Sequence, residues 1–346
     1  MAERVLGLKA LNRATLARQL LLERRRLPVG TAIERVAGLQ AQWPPSPYIG
    51  LWTRLVGFRR ESLERAVLSG AVLKPTVMRG TLHLVTKRDY AMYWWALRDM
   101  PTWYDETHLT AALAAVAGAR RRAPMTHAEA LEWLRDEHRH EDDQTRRRIF
   151  HALRRRAHLL HAPESALWTV RAGTVVFHAH DVPDGLDVFA ARTELVRRYL
   201  GAFGPSSRAD IADWSGLRVS DVAPAIEALE PLRRFRDENG RELLDLPRAP
   251  LPPPETPAPV RFLPKWDNTL LAHADRRRVL PEELRKEVIA KNGDVTQTFL
   301  VDGVVTGSWT ADRKGRVTLM PFAPLPRTAR RAVEDEQAEL EAWLRS

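Results

Sequence analysis

"SSRADIADWSGLRVSDVAPAIEALEPLRRFRDENGRELLDL", residues 206–246, carries the reading of the fold. Ser206 and Ser207 stand before a short run with helical apolar spacing, so a helix enters there. Ser220 heads a second run, "SDVAPAIEALEPL". "RRFRDENGRELLDL" then alternates and turns at Asn239-Gly240, a strong hairpin signal. Helix, turn, helix, hairpin is the order of a winged helix-turn-helix unit.

Working outward, the same order occurs twice more. The spacing predicts a first helix from Asn12 and a second from Thr31, with Glu34 completing a capping box. Its apolar positions Ile33, Val36 and Ala37 lead to Gln40. A third helix runs from Ser62 to a stop at Gly70, and "VLKPTVMRGTLHLVT" makes two strands turning at Arg79-Gly80. The next unit opens with "RDYAMYWWALRDM", is capped at Thr126 by Glu129, and continues through "DQTRRRIFHALRRRAHLLH". Strands "ALWTV" and "TVVFHA" follow across Ala172-Gly173. The repetition is one of architecture, since no residue-level repeat accompanies it.

The predicted class is mainly α with small β hairpins (α+β). It divides into units at 1–100, 101–183 and 184–246, a proline-rich linker at 247–260 and a β-rich region at 261–346. In that last region, strands "TFLVDGVVTGSWT" and "RVTLMPF" turn at Asp302-Gly303 and Lys314-Gly315, and a charged helix spans 329–344.

The chain of 346 residues is too long for one ordinary core. A net charge of +10 favours a polyanionic partner. There is no cysteine, which excludes disulfides and thiolate chemistry and fits a cytoplasmic protein. No apolar run is long enough to cross a membrane, and no secretion signal is visible. The Walker loop, the dinucleotide fingerprint and the nucleophile elbow are all missing, and the histidines fall into no metal spacing. We therefore expect no cofactor, no metal and no membrane.

Arg146, Arg147, Arg148 and Arg154 lie on an arginine-dense helix in the position of a recognition helix, on several of its sides, which suits phosphate contact better than base readout. Trp309, Arg313, Lys314 and Arg316 gather near the last hairpin tip, as a nucleic-acid groove would need. The same residues also fit a solvated helix face and an ordinary soluble turn. Arg79 and His83 alternate onto one side of the first hairpin, where a histidine more often serves structure than catalysis.

"GLQAQWP", residues 38–44, is the one local anomaly. On an unbroken helix Gln40 and Gln42 point about 200° apart, whereas on extended backbone they share a side. Pro44 disfavours helical geometry at Trp43, so the helix should unwind there and let both amides face one pocket. The residues alone equally fit polar side chains at an exposed helix end.

"LNRATLARQLLLERR", "GLQAQWPPSPYIGLWTRL", "LKPTVMRGTLHLV", "YLGAFGPSSRADIADWSGL", "RFLPKWDNTLLAH" and "FLVDGVVTGSW" together resemble the AlkZ-like winged-helix DNA glycosylases, in order over nearly the whole chain. That resemblance implies tandem winged helices, double-stranded DNA as partner, and excision of N7-alkylated guanine, interstrand crosslinks and bulky natural-product adducts included. It implies that Gln40 and Gln42 are the catalytic glutamine-x-glutamine motif; Arg79, His83 and Trp43 are the candidates for pocket support. It also implies that the hairpin around Arg313 probes the groove. No lysine stands out as a lyase nucleophile, so a monofunctional enzyme is expected, and a glycosylase should be monomeric. The rival reading is a winged-helix transcriptional regulator, which needs neither glutamine; a silent damage sensor is a third.

Overall fold

The structure, a computed structural model, describes residues 4–100, 105–169, 176–182 and 185–346. In the first unit, helix Val29–Arg35 leads into strand Leu39–Gln40, then helices Pro45–Trp52 and Arg60–Leu68. Strands Val72–Leu73 and His83–Thr86 follow, and His83–Thr86 lies between the other two. The second unit repeats this with helix Glu106–Arg122, strand Met125–Thr126, helices His127–Glu137 and Asp143–Arg156, and strands Leu159–His161 and Val176–Ala179. The third has helices Val188–Phe203, Arg208–Ser215 and Val219–Glu227 and strands Arg233–Asp237 and Glu242–Asp245. Ser206 bridges to Leu244 in the place of its first strand.

Local signals account for much of this. Thr126 with Glu129, and Ser207 with Asp210, form capping boxes. Gly240 turns the third hairpin at φ +78°, where a side chain would be strained.

Other starts move because a partner far along the chain claims the side chain. Asn12 caps nothing: it sits inside helix Leu8–Arg18, its amide donating to Arg278 and Gly303 carbonyls at 2.7 and 2.8 Å. Glu34 accepts from the Thr86 hydroxyl, so its helix begins at Val29 rather than Thr31. The next begins at Arg60, not Ser62. The helix expected from Ser220 starts at Val219 on Arg218. "ALWTV" forms no strand over its described residues; the pairing strand is Leu159–His161, and the turn at Ala172-Gly173 lies outside the described residues.

The amino-terminal segment leaves its sequence neighbours. Strand Val5–Leu6 pairs in parallel with Arg233–Asp237, extending the third sheet. Leu6, Ala10 and Leu11 pack on Phe235 and Leu243, and Leu16 and Leu21 on Leu263 and Leu300. The proline-rich stretch is fastened rather than free: Arg18 donates to the Pro250 carbonyl and Arg13 to that of Thr256. The last region is an antiparallel sheet of Arg261–Leu263, Thr298–Val301, Val304–Ala311 and Val317–Pro321, in that order. Helix Arg327–Arg345 buries Val333 and Leu340 beside Tyr48 and Trp52.

Two buried ion pairs clamp the chain across these units. Arg18 meets Asp245 at 2.7 Å with both side chains fully buried. Arg54 forks onto Asp267 at 2.8 and 2.9 Å and also reaches Thr269. Burial raises the Asp267 carboxyl, but the Arg54 charge and hydrogen bonds from Arg54 and Thr269 together more than offset it, so the net shift is downward.

Replacing Asp267 by alanine strands a buried guanidinium and should cost about 3–5 kcal/mol, read as a lower urea midpoint. Acid should also destabilise. Burial, helped by the Arg79 charge, lowers His83 to about 3, and burial beside Arg278 lowers His273. Unfolded histidine binds its proton near about 6.5. Below that pH the unfolded state takes up protons that the folded state refuses. Stability should therefore fall by about 1.4 kcal/mol per pH unit per such histidine, and be flat on this account above it. A urea midpoint that is unchanged from pH 7.5 to 5.5 would contradict this.

Candidate active site and DNA-binding surface

The two glutamines are not at a helix end. Helix Val29–Arg35 stops well before them, and Ala37 and Gly38 take positive φ of 59° and 90°. That reversal sends Leu39 and Gln40 into the sheet, where Gln40 pairs with His83 and the Ala41 amide donates to the Leu82 carbonyl at 2.8 Å. The break expected at Pro44 thus comes earlier, at Ala37-Gly38. In the second and third units the first strand runs straight into a capping residue, Thr126 or Ser207. Here the next helix starts on Pro44 and Pro45, which need no amide partner, and Ala41 to Trp43 are released from that duty.

Extended backbone then does what alternation predicts. Ala41 turns into the core at 1% exposure, while Gln40, also buried, and exposed Gln42 come together. The Gln40 amide nitrogen donates to the Gln42 amide oxygen. Arg79 donates to the Gln40 oxygen at 3.0 Å, to Asn268 at 3.2 Å and to the Trp214 carbonyl at 3.1 Å. Asn268 in turn donates to the Gly38 carbonyl at 3.1 Å.

These contacts assign the amide orientations. A guanidinium has only donors, so Gln40 must turn its oxygen to Arg79. Its NH2 group then faces Gln42, which must turn its oxygen inward to receive it. Gln42 keeps a second lone pair and its own NH2 group at the surface. Burial lowers Arg79 to about 10, which still leaves it charged at neutral pH. Arg79 adopts φ 54°, a conformation rare for a residue with a side chain, at the turn that aims it.

His83 lies behind Gln40 with no exposed surface. Its Nδ1 is 3.1 Å from the Thr81 carbonyl, so this nitrogen carries the hydrogen. Its Nε2 is left as a buried acceptor without a partner among the described residues. Trp43 is half-buried beside the motif and walls a cavity that reaches the last hairpin, ending at Arg313.

The expected DNA contacts divide. Arg313, Lys314 and Arg316 are exposed on the turn between Val304–Ala311 and Val317–Pro321. Arg147 is exposed and Arg148 half-buried, and neither has a hydrogen-bond or ion-pair partner among the described residues. The other three are corrected. Arg146 is buried and donates to the carbonyls of His138 and Glu141 and to Asp143, closing the start of its own helix. Arg154 lies over the Phe177 ring and donates to Thr76, because helix Asp143–Arg156 packs against the first unit on that side. Trp309 has no exposed surface, and its indole N–H donates to the Leu263 and Thr298 carbonyls. Sequence reasoning missed Asn268, which comes to the motif from the far end of the chain with no local signal.

No group of three or more histidine, aspartate or glutamate side chains able to hold a metal ion occurs among the described residues, and no helix among them is long and apolar enough to cross a membrane. A family model for "DNA glycosylase AlkZ-like" matches residues 33–343. An "interstrand DNA cross-link repair glycosylase" of Streptomyces sahachiroi is 24% identical, over 93% of this chain and 92% of its own. The solved structure of Streptomyces sahachiroi DNA glycosylase AlkZ superposes with a TM-score of 0.81 at 21% identity, over 98% of this chain and 97% of that one, a likeness of fold. With nine-tenths of its length under that family model, the chain belongs to the AlkZ-like DNA glycosylases.

Proposed function

We propose that this glycosylase removes N7-alkylated guanine from double-stranded DNA by simple hydrolysis, as a cytoplasmic monomer, and that Gln40 and Gln42 carry the chemistry. Interstrand crosslinks and bulky adducts fall within this lesion class; the relative from Streptomyces sahachiroi is named for crosslink repair. The observation that supports the reading is the directed chain from Arg79 through Gln40 to Gln42.

N7 alkylation makes the purine cationic. When the C1′–N9 bond breaks, the bonding pair goes to the base, which leaves neutral and needs no acid. The sugar passes through oxocarbenium character. Water adds to C1′, and its second proton goes to solvent. The protein has to place that water and face the growing positive charge with oxygen lone pairs. Gln42 does this with its outward lone pair. Gln40 is a positioning residue, holding the Gln42 carbonyl in place while its own oxygen is spent on Arg79. A neutral pair is too weak for unmodified guanine, whose base is a poor leaving group, and selectivity follows. A regulator has no use for this chain of amides.

Single-turnover excision from a duplex with one N7-methylguanine tests the assignment. Gln42→Ala should slow the step about 100-fold, the size expected for one preorganised polar group. Gln40→Ala should slow it less, and the double variant little more than Gln42→Ala, because the two act as a unit. Affinity for undamaged duplex should not change. Full activity in the double variant removes the glutamines from catalysis. The rate should also be flat from pH 5.5 to 8, since amides do not titrate and His83, lowered to about 3, stays neutral throughout. A midpoint near pH 6.5 would point to a histidine.

Arg313→Glu with Lys314→Glu should weaken duplex binding and make it less salt-dependent. The slope of log affinity against log salt should shrink by about 1 for each phosphate that is no longer neutralised. An unchanged slope takes the hairpin out of the interface.

A further inference from the structure

Beside the glutamines lies a cavity of about 460 Å³, between the Trp43–Pro45 turn and the strand Val304–Ala311. That is the size of small-molecule sites, which run from about 300 to 1,000 Å³. Its walls include three indoles, Trp43, Trp168 and Trp309. Trp309 lies beneath as a closed floor, fully buried with its N–H spent on two carbonyls. Trp168 is locked in plane: Arg60 covers its ring at 4.2 Å, and Tyr48 and Trp343 meet it edge-on at 5.5 and 5.6 Å. Rigid, flat, apolar walls of this kind select a flat guest.

One polar group lines the cavity without an obvious structural task. Gln297 is only 8% exposed, and its backbone carbonyl is held by the Trp309 amide. Its side-chain amide has no protein partner among the described residues. The amide keeps contact with solvent in the cavity, so its donor and its acceptor are both free to meet the polar edge of a ligand. Indole faces plus one edge-reading amide are what recognition of a ring drawn out of a nucleic-acid stack requires.

We propose that this cavity is a ring-binding subsite of the enzyme. It takes one planar heteroaromatic ring of the lesion, stacked on Trp43 and Trp168, with its polar edge read by Gln297. This rests on the function proposed above. Two parts of a lesion supply that chemistry: the alkylated guanine itself, turned out of the duplex, or a flat ring carried on its N7 substituent. In either case the subsite grips the part that departs with the leaving group, one residue along from Gln42.

Gln297→Leu removes the edge contact at nearly constant shape. Ala311→Trp fills the mouth from an exposed strand position. Neither touches Arg79, Gln40 or Gln42. Two duplexes are compared, one with N7-methylguanine and one with N7-(pyridylmethyl)guanine. Single-turnover excision is measured, and fluorescence anisotropy gives the preference for each over undamaged duplex. Both variants should lose about tenfold in rate and in lesion preference, about 1.4 kcal/mol. Loss on both duplexes makes the ring the guanine; loss on the pyridylmethyl duplex alone makes it the substituent. Wild-type rates and preferences on both duplexes overturn the subsite. If the wild-type protein excises neither lesion, the proposed function fails and anisotropy alone decides. Lesion preference that disappears in the variants then sustains the subsite, and preference that is unaltered or missing from the start overturns it.

Discussion

The buried pair of Arg54 and Asp267 holds the site in register. The two residues stand far apart in the chain and are 1% and 2% exposed in the fold. Exchanging two hydrated ions for one buried fork gains little net stability. What it provides is a fixed position. Asp267 sits where the guanidinium requires it, and Asn268 is the next residue. Asn268 can therefore hold the Gly38 carbonyl ahead of the glutamines and accept from Arg79 behind them. Were the Asp267 loop free to slide, Arg79 would lose one of its acceptors and the orientation of Gln40 would loosen.

The site is a local departure from a repeated scaffold. Three units place a first strand before a second helix, and two of them spend the next residue on capping that helix. The first unit starts the helix on prolines instead, and the freed stretch holds Gln40 and Gln42. The function proposed for this stretch thus rests on a small edit of an ordinary fold. The electrostatics agree with it. The positive charge of Arg79 is kept inside, covered by Gln40, where it polarises the amides in one direction. It also helps hold the buried His83 behind Gln40 neutral.

Features closed within a few residues were legible in advance. The capping boxes at Thr126 and Ser207 and the turn at Asn239-Gly240 need only their neighbours, and the hydrophobic pattern carried the repeat. Starts assigned to Asn12 and Thr31 failed because the Asn12 and Glu34 side chains each serve a distant partner instead. Arg146, Arg154 and Trp309 failed for a related reason. Their types suit DNA, but packing turned the first onto its own helix start, the second onto Phe177 and the third into the sheet core. Arg313, Lys314 and Arg316 lie on a tight turn with nothing packed over their side chains, and there residue type and exposure agree.

By itself the sequence determined the helix-helix-hairpin order, its threefold occurrence, the basic charge and the presence of two amides two residues apart, because these are set by local propensity and composition. Whether those amides could act together was undecided at that level, since residues two apart diverge on a helix and converge on a strand. Tertiary structure decided it. The reversal at Ala37-Gly38 is held by Asn268, a residue no window around the motif contains. Arg79, with donors and no acceptor, then leaves the two glutamines a single consistent orientation.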